Sequence, residues 1–279
     1  MQVLKRVLFN AELRLRSSWW VVIFFLLLAA LLFPTILLSD RYGFEISYWH
    51  QVLLIVIATI LCQALRRESF FDLVGRFNKE WLRKLGAGLL LGCILMIVPA
   101  LILTLTGSVQ WQVNSISLLD FMAGILVMLS VVIAEELLFR GFIFQRLIES
   151  FGAWPAQLLM GALFLLTHLG NPGMAGSIKV LASMNIFIAS VFFGIAYIKT
   201  RSLAMPIGIH FMANVIQGNI LGFGVSGENE ESILLPAFDN TPSWITGGTF
   251  GLEASMVGLV TLTILTTWLY IRRILIKYY

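Results

Sequence analysis

The sequence predicts an all-α, polytopic membrane protein of about eight transmembrane helices. Three observations predict it. Of the 279 residues, 59% are hydrophobic and only 12% charged, against roughly 25% charged in an ordinary soluble domain. Apolar stretches of the ~20 residues that a membrane span requires recur along nearly the whole chain. The Lys and Arg residues fall in alternate connections, the pattern that marks cytoplasmic loops.

The first span lies near 19–38, preceded by Lys5, Arg6, Arg14 and Arg16. Its apolar run exceeds the roughly 7–15 residues of a signal-peptide core, so it is read as an uncleaved anchor. A short second span lies near 49–65. The segment 66–86, "RRESFFDLVGRFNKEWLRKLG", interleaves basic residues with Phe70, Phe71, Phe77 and Trp81. It is read as an amphipathic linker on the membrane surface. Further spans are placed near 85–106, 118–144, 154–170, 179–198, 202–221 and 252–271.

With eight spans, 17 of the 19 basic residues share one side, including Arg66, Arg67, Arg76, Lys79, Arg83, Lys84, Lys199, Arg201, Arg272, Arg273 and Lys277. Only Arg41 and Lys179 fall on the other. That side also receives the connection 222–251, which has no Lys or Arg but contains Glu228, Glu230, Glu231 and Asp239. A protein of the cell membrane with both termini cytoplasmic is expected. Three regions follow: N-terminal helices and linker (1–117), a membrane core (118–221), and an extracytoplasmic loop with a last helix (222–279). Cys62 and Cys93 lie inside spans and read as packing residues. Trp19, Trp20, Trp49, Trp111 and Trp154 sit near span ends, as in an aromatic belt.

Ionisable side chains inside a bilayer are costly and usually face a cavity or a partner. Here they are few: Glu135, Glu136 and Arg140 on span four, His168 on span five, and His210 with Asn214 on span seven. Asn185 reads as interhelical glue, His50 as interfacial, and Glu253 as the outer edge of span eight. Glu136 and Arg140 stand at i and i+4 on one helix face, so Glu136 neutralises Arg140. Glu135 points about 100° away and is left without that partner. Phe164 and His168, and His210 and Asn214, repeat the i, i+4 spacing.

This inventory suits hydrolysis without a nucleophilic Ser or Cys. Glu135 would act as general base on water, one histidine would hold that water, and the other histidine with an asparagine amide would donate to an oxyanion. The same residues leave a zinc site open, with Glu135, His168 and His210 as three ligands and water as the fourth.

Glu135-Glu136-x-x-x-Arg140, Phe164-x-x-x-His168 and His210-x-x-x-Asn214 stand in order on separate spans. Together with "FRGFIFQRL" after the first, they resemble the CPBP (Abi) family, which includes the type II CaaX prenyl proteases. The resemblance covers roughly 118–220. It implies that Glu135 is the catalytic glutamate, that His168 positions the attacking water with it, and that His210 and Asn214 form the oxyanion hole. Glu136, Arg140 and Phe164 then support the site. The family has been described both as metalloproteases and as glutamate-type intramembrane proteases, so zinc stays open as a cofactor.

The expected partners are the lipid bilayer and a membrane-embedded or lipid-anchored peptide or protein, with no nucleic acid. Two other classes compete with an endopeptidase. One is a non-catalytic regulator or bacteriocin-immunity protein of the same fold. The other is a proton-coupled transporter, against which stands the lack of any internal repeat.

Overall fold

A computed structural model describes residues 7–9, 13–238 and 240–272. Of the charged residues used above, Lys5, Arg6, Asp239, Arg273 and Lys277 lie outside the described residues. The long helices are α1 (Ser17–Tyr42), α2 (Tyr48–Arg66), α3 (Lys79–Leu105), α4 (Leu118–Glu136), α5 (Phe142–Phe151), α6 (Ala153–His168), α7 (Gly176–Thr200), α8 (Ala204–Asn214) and α9 (Met256–Ile271). π-Helical segments extend α4 over Leu137–Gly141 and α8 over Val215–Ile220.

Each expected span holds a helix, and the protein is an all-α membrane protein. The count of eight crossings is not met by length, however. Among the described residues, five helical segments are long and apolar enough to cross: Ser17–Tyr42, Tyr48–Arg66, Lys79–Leu105, Leu118–Phe151 and Gly176–Thr200. Helices α6 and α9 have 16 residues each, short of the ~20 needed.

Two local expectations are corrected. Residues 66–86 are not one amphipathic stretch. Leu73 and Val74 are buried in a helical turn, Phe71–Val74, and α3 already begins at Lys79, where the Asn78 side chain accepts from the Trp81 N–H. The all-α expectation also missed a two-stranded antiparallel pair, β1 (Gln110–Val113) with β2 (Leu234–Ala237). It ties the connection before α4 to the one before α9.

Helix starts follow their caps. Ser117 accepts from the Asp120 N–H at the start of α4, and Ser255 accepts from the Gly258 N–H at the start of α9. Side-chain acceptors of this kind satisfy amides that a helix start leaves unpaired.

What positions the polar residues is the contact between α3 and α8. A Cβ added at Gly88 would lie 2.3 Å from the Met205 carbonyl oxygen, and one at Gly92 2.3 Å from that of Ile209. Gly208 returns the contact, 2.5 Å from the Leu85 carbonyl oxygen. The small residues four apart on α3 let the backbones touch, which is the usual device where lipid supplies no hydrophobic drive. Helix α8 is thereby fixed at the residues flanking His210. Gly92→Leu is expected to force the helices apart, costing at least about 1–3 kcal/mol and most of any activity. Thermal unfolding in detergent checks this, and an unchanged midpoint would contradict the contact.

Candidate active site

Three helix faces turn toward one cavity of about 140 Å³. From α4 come Met128, Val131 and Glu135; from α6, Phe164 and His168; from α8, His210, Ala213 and Asn214. These spacings each describe a single helical stripe. Both π segments begin next to the polar residues, one directly after Glu136 and one directly after Asn214. A π turn inserts extra backbone into a helix and is frequent at functional sites.

The Glu136–Arg140 pair is present, Oε1 to Nη1 at 3.1 Å, with the two side chains 0% and 1% exposed. The guanidinium is held further than the sequence indicated. Its Nη2 donates to Ser190 Oγ at 2.9 Å. Its carbon lies 4.6 Å from the Phe164 ring centre and 5.1 Å from that of Phe193. Those rings in turn touch the two histidines: Phe164 to His168 at 4.5 Å, and Phe193 stacked on His210 at 4.8 Å. Arg140 is thus a buried cation around which both imidazoles are arranged through aromatic faces.

Glu136 has a second task that helix geometry alone did not reveal. Its Oε1 also meets His210 Nδ1 at 2.9 Å. A carboxylate accepts, so Nδ1 carries the hydrogen. His168 is set the same way, with Nδ1 2.7 Å from the Phe164 carbonyl oxygen. Neutral His168 therefore presents Nε2 as a lone pair.

Glu135 is the leftover carboxylate. Oε1 lies 3.9 Å from His168 Nε2, and Oε2 lies 3.7 Å from His210 Nε2. Neither distance is a hydrogen bond. Asn214 is 8% exposed and lines the cavity. Among the described residues nothing hydrogen-bonds its side-chain amide. Asn185 bonds the Leu181 and Ser255 carbonyl oxygens at 3.4 Å, as interhelical glue should, and also lines the cavity. His50 caps α2 with Ser47, away from the site.

Sequence reasoning missed part of the wall. Glu253 is not merely the edge of a span. It lies in the 3₁₀ turn Leu252–Ala254 and lines the cavity. Its Oε1 accepts from the Ser226 N–H, from Ser226 Oγ at 3.1 Å and from Gln217 Nε2 at 3.3 Å. Burial, first among the causes, pushes its carboxyl above the usual range, while these donors and His168 oppose the shift. Tyr48, Glu228 and Glu230 also line the cavity. These residues come from α2 and the 222–255 connection, far in sequence from the motifs, and no spacing rule joins them.

Residues 117–216 match a family model described as Rce1-like, type II CAAX prenyl endopeptidase. This segment is similar to that family. The matched segment starts at the Ser117 cap of α4 and ends just past Asn214. It therefore contains Glu135, Glu136, Arg140, Phe164, His168, His210 and Asn214, in agreement with the resemblance that the three motifs carry. It excludes Tyr48, Glu228, Glu230 and Glu253. Among curated proteins none matches the chain.

A metal ion would need a gathered donor set. Among the described residues, no group of three or more His, Cys, Asp or Glu side chains is arranged to hold one. Glu135 stands 3.9 Å from His168 Nε2 and 3.7 Å from His210 Nε2, the other two members of the zinc set that the sequence left open. No step below passes through a metal.

Proposed function

We propose that this protein is a multi-pass intramembrane endopeptidase that hydrolyses a peptide bond of a membrane-embedded or lipid-anchored substrate with glutamate-activated water. The observation that carries the reading is Glu135: a carboxylate with no hydrogen bond among the described residues, facing a cavity, with imidazole nitrogens at 3.9 and 3.7 Å. Such a gap is too long for a direct bond and suits one bridging water. Glu135 Oε1 and His168 Nε2 both accept from that water, which leaves an oxygen lone pair for attack on the substrate carbonyl. As the C–O bond forms, Glu135 takes the water proton. When the C–N bond breaks, the same proton passes to the leaving amine, and the carboxylate is restored.

The carbonyl oxygen gains charge as the tetrahedral intermediate forms. Asn214 Nδ2 is free to donate to it. His210 donates from Nε2 only when both ring nitrogens carry hydrogen. Glu136, 2.9 Å from Nδ1, is placed to balance that imidazolium. His210→Ala and Asn214→Ala are each expected to slow turnover by roughly 10²–10³-fold, the usual loss for one oxyanion donor. KM should stay nearly constant, because the charge exists only in the transition state. Steady-state kinetics on a cleaved peptide check this. A rise in KM alone would remove both residues from the oxyanion hole.

Active protein is expected to contain far less than one equivalent of zinc, and chelators should leave it active. Stoichiometric zinc, lost from both His168→Ala and His210→Ala and restoring activity on return, would make Glu135 a ligand and refute the glutamate base.

The cavity mouth is formed by Tyr48 at the start of α2 and by Glu228 and Glu230. These lie on the side opposite Arg66, Arg67, Lys79, Arg83, Lys84, Lys199 and Arg201. With basic loops cytoplasmic, both termini are cytoplasmic and the site opens outward across the cell membrane. Thiol labelling of Glu228→Cys in intact cells, with a membrane-impermeant reagent, tests the orientation; labelling only after lysis would reverse it.

A further inference from the structure

Among the described residues, the cavity is lined by four carboxylates, Glu135, Glu228, Glu230 and Glu253, and by no Lys or Arg. The nearest buried cation, Arg140, is not in the lining and is already held by Glu136 and Ser190. Glu230 stands well above Glu135. A Cβ at Gly124 would lie 3.9 Å from Glu230 Oε2, and Gly124 precedes Glu135 by a helical rise of roughly 16 Å. Acidic groups therefore accompany a substrate along the whole entrance. Burial first, and then the neighbouring Glu228 charge, push the Glu230 carboxyl up. The cavity is also built for a ligand on independent grounds, since the buried Asn214 amide faces it with no partner among the described residues.

We infer that this entrance selects a substrate segment carrying a Lys or Arg side chain, or an amino group, on the mouth side of its scissile bond, and discriminates against a carboxylate there. A narrow cleft with low-dielectric walls and charge of one sign concentrates its field on the opposite sign. A segment that entered with a free α-carboxylate would meet the same acidic groups. The favoured target is then an internal bond near a cationic residue. The inference rests on the endopeptidase reading for the cut, while the charge selection can be measured without it.

The test uses full-length Glu135→Gln protein in phosphatidylcholine nanodiscs, with empty nanodiscs as control. The probes are short, fluorescent, apolar peptides, blocked at both ends and differing only in one central Lys, Gln or Glu. A fourth, central-Gln probe ends in a free carboxylate. The Lys peptide is expected to bind roughly tenfold tighter than the Gln peptide, as two partly exposed ion pairs allow. The Glu and free-acid peptides should bind more weakly than the blocked Gln peptide. Adding Glu228→Gln and Glu230→Gln should remove most of the difference. Should that variant not fold, Glu228→Gln alone, at an exposed position, is expected to remove part of it.

Equal affinities, or a preference undiminished in both of those variants, would overturn the inference. Cleavage by the wild type of all the blocked peptides at equal rates would also overturn it, yet leave the protease reading standing. Selective binding with no cleavage of any peptide would do the reverse.

Discussion

Glu135→Gln is expected to abolish turnover, by at least roughly 10³-fold, and to leave the protein folded. The amide keeps the shape of the carboxylate but cannot take a proton from water, and removal of a positioned base alone is worth about 10²–10⁴ in rate. Little in the fold depends on the charge: among the described residues Glu135 makes no hydrogen bond, its imidazole contacts exceed 3.5 Å, and it acts on Arg140 only after burial and the paired Glu136. The expected pattern is a melting midpoint close to the wild type together with a dead enzyme. Turnover near the wild-type rate would refute the assignment.

Glu136→Gln is expected to fail in the opposite order, losing stability as well as activity. The carboxylate is fully buried and contacts both Arg140 and His210 through one oxygen. Removing one member of a buried ion pair costs about 3–5 kcal/mol, because the other charge is left uncompensated. The double substitution Glu136→Gln with Arg140→Met should recover much of that loss, since an apolar replacement of both partners is often neutral. It should not recover activity, because His210 Nδ1 still lacks the carboxylate that accepts its hydrogen bond. Thermal unfolding and turnover of the two variants separate these effects. A Glu136→Gln protein as stable as the wild type would mean that Arg140 is held by Ser190 and the two aromatic rings alone.

Helix periodicity made much of this legible before any coordinates. The i, i+4 rule placed Arg140 on Glu136 and left Glu135 over. The apolar segments placed all the long helices but α5, which lies largely between the expected spans 118–144 and 154–170. Contacts between distant segments were another matter. That His210 would share Glu136 depends on how α8 lies against α4, which the Gly88 and Gly92 contacts with α8 determine. The spacing of those glycines on α3 was a readable signal for close packing.

The π turns after Glu136 and Asn214 have no sequence signature, since they arise where tertiary contacts reward an extra residue per turn. Glu253 was set aside because an acidic residue at a span end ordinarily meets water. Here the 222–255 connection folds back and turns it inward. Tyr48, Glu228 and Glu230 reach the cavity from regions outside the matched segment, so neither the motifs nor the family match points to them.

The most direct test is hydrolysis itself. Purified full-length protein is reconstituted in proteoliposomes with membrane-inserted peptides that carry a central Lys, and the products are weighed by mass spectrometry. The expected result is a pair of fragments whose masses sum to the peptide plus one water, produced by the wild type and not by Glu135→Gln. Intact peptides after incubation with folded wild-type protein, or the same fragments from Glu135→Gln, would contradict a glutamate-driven intramembrane protease.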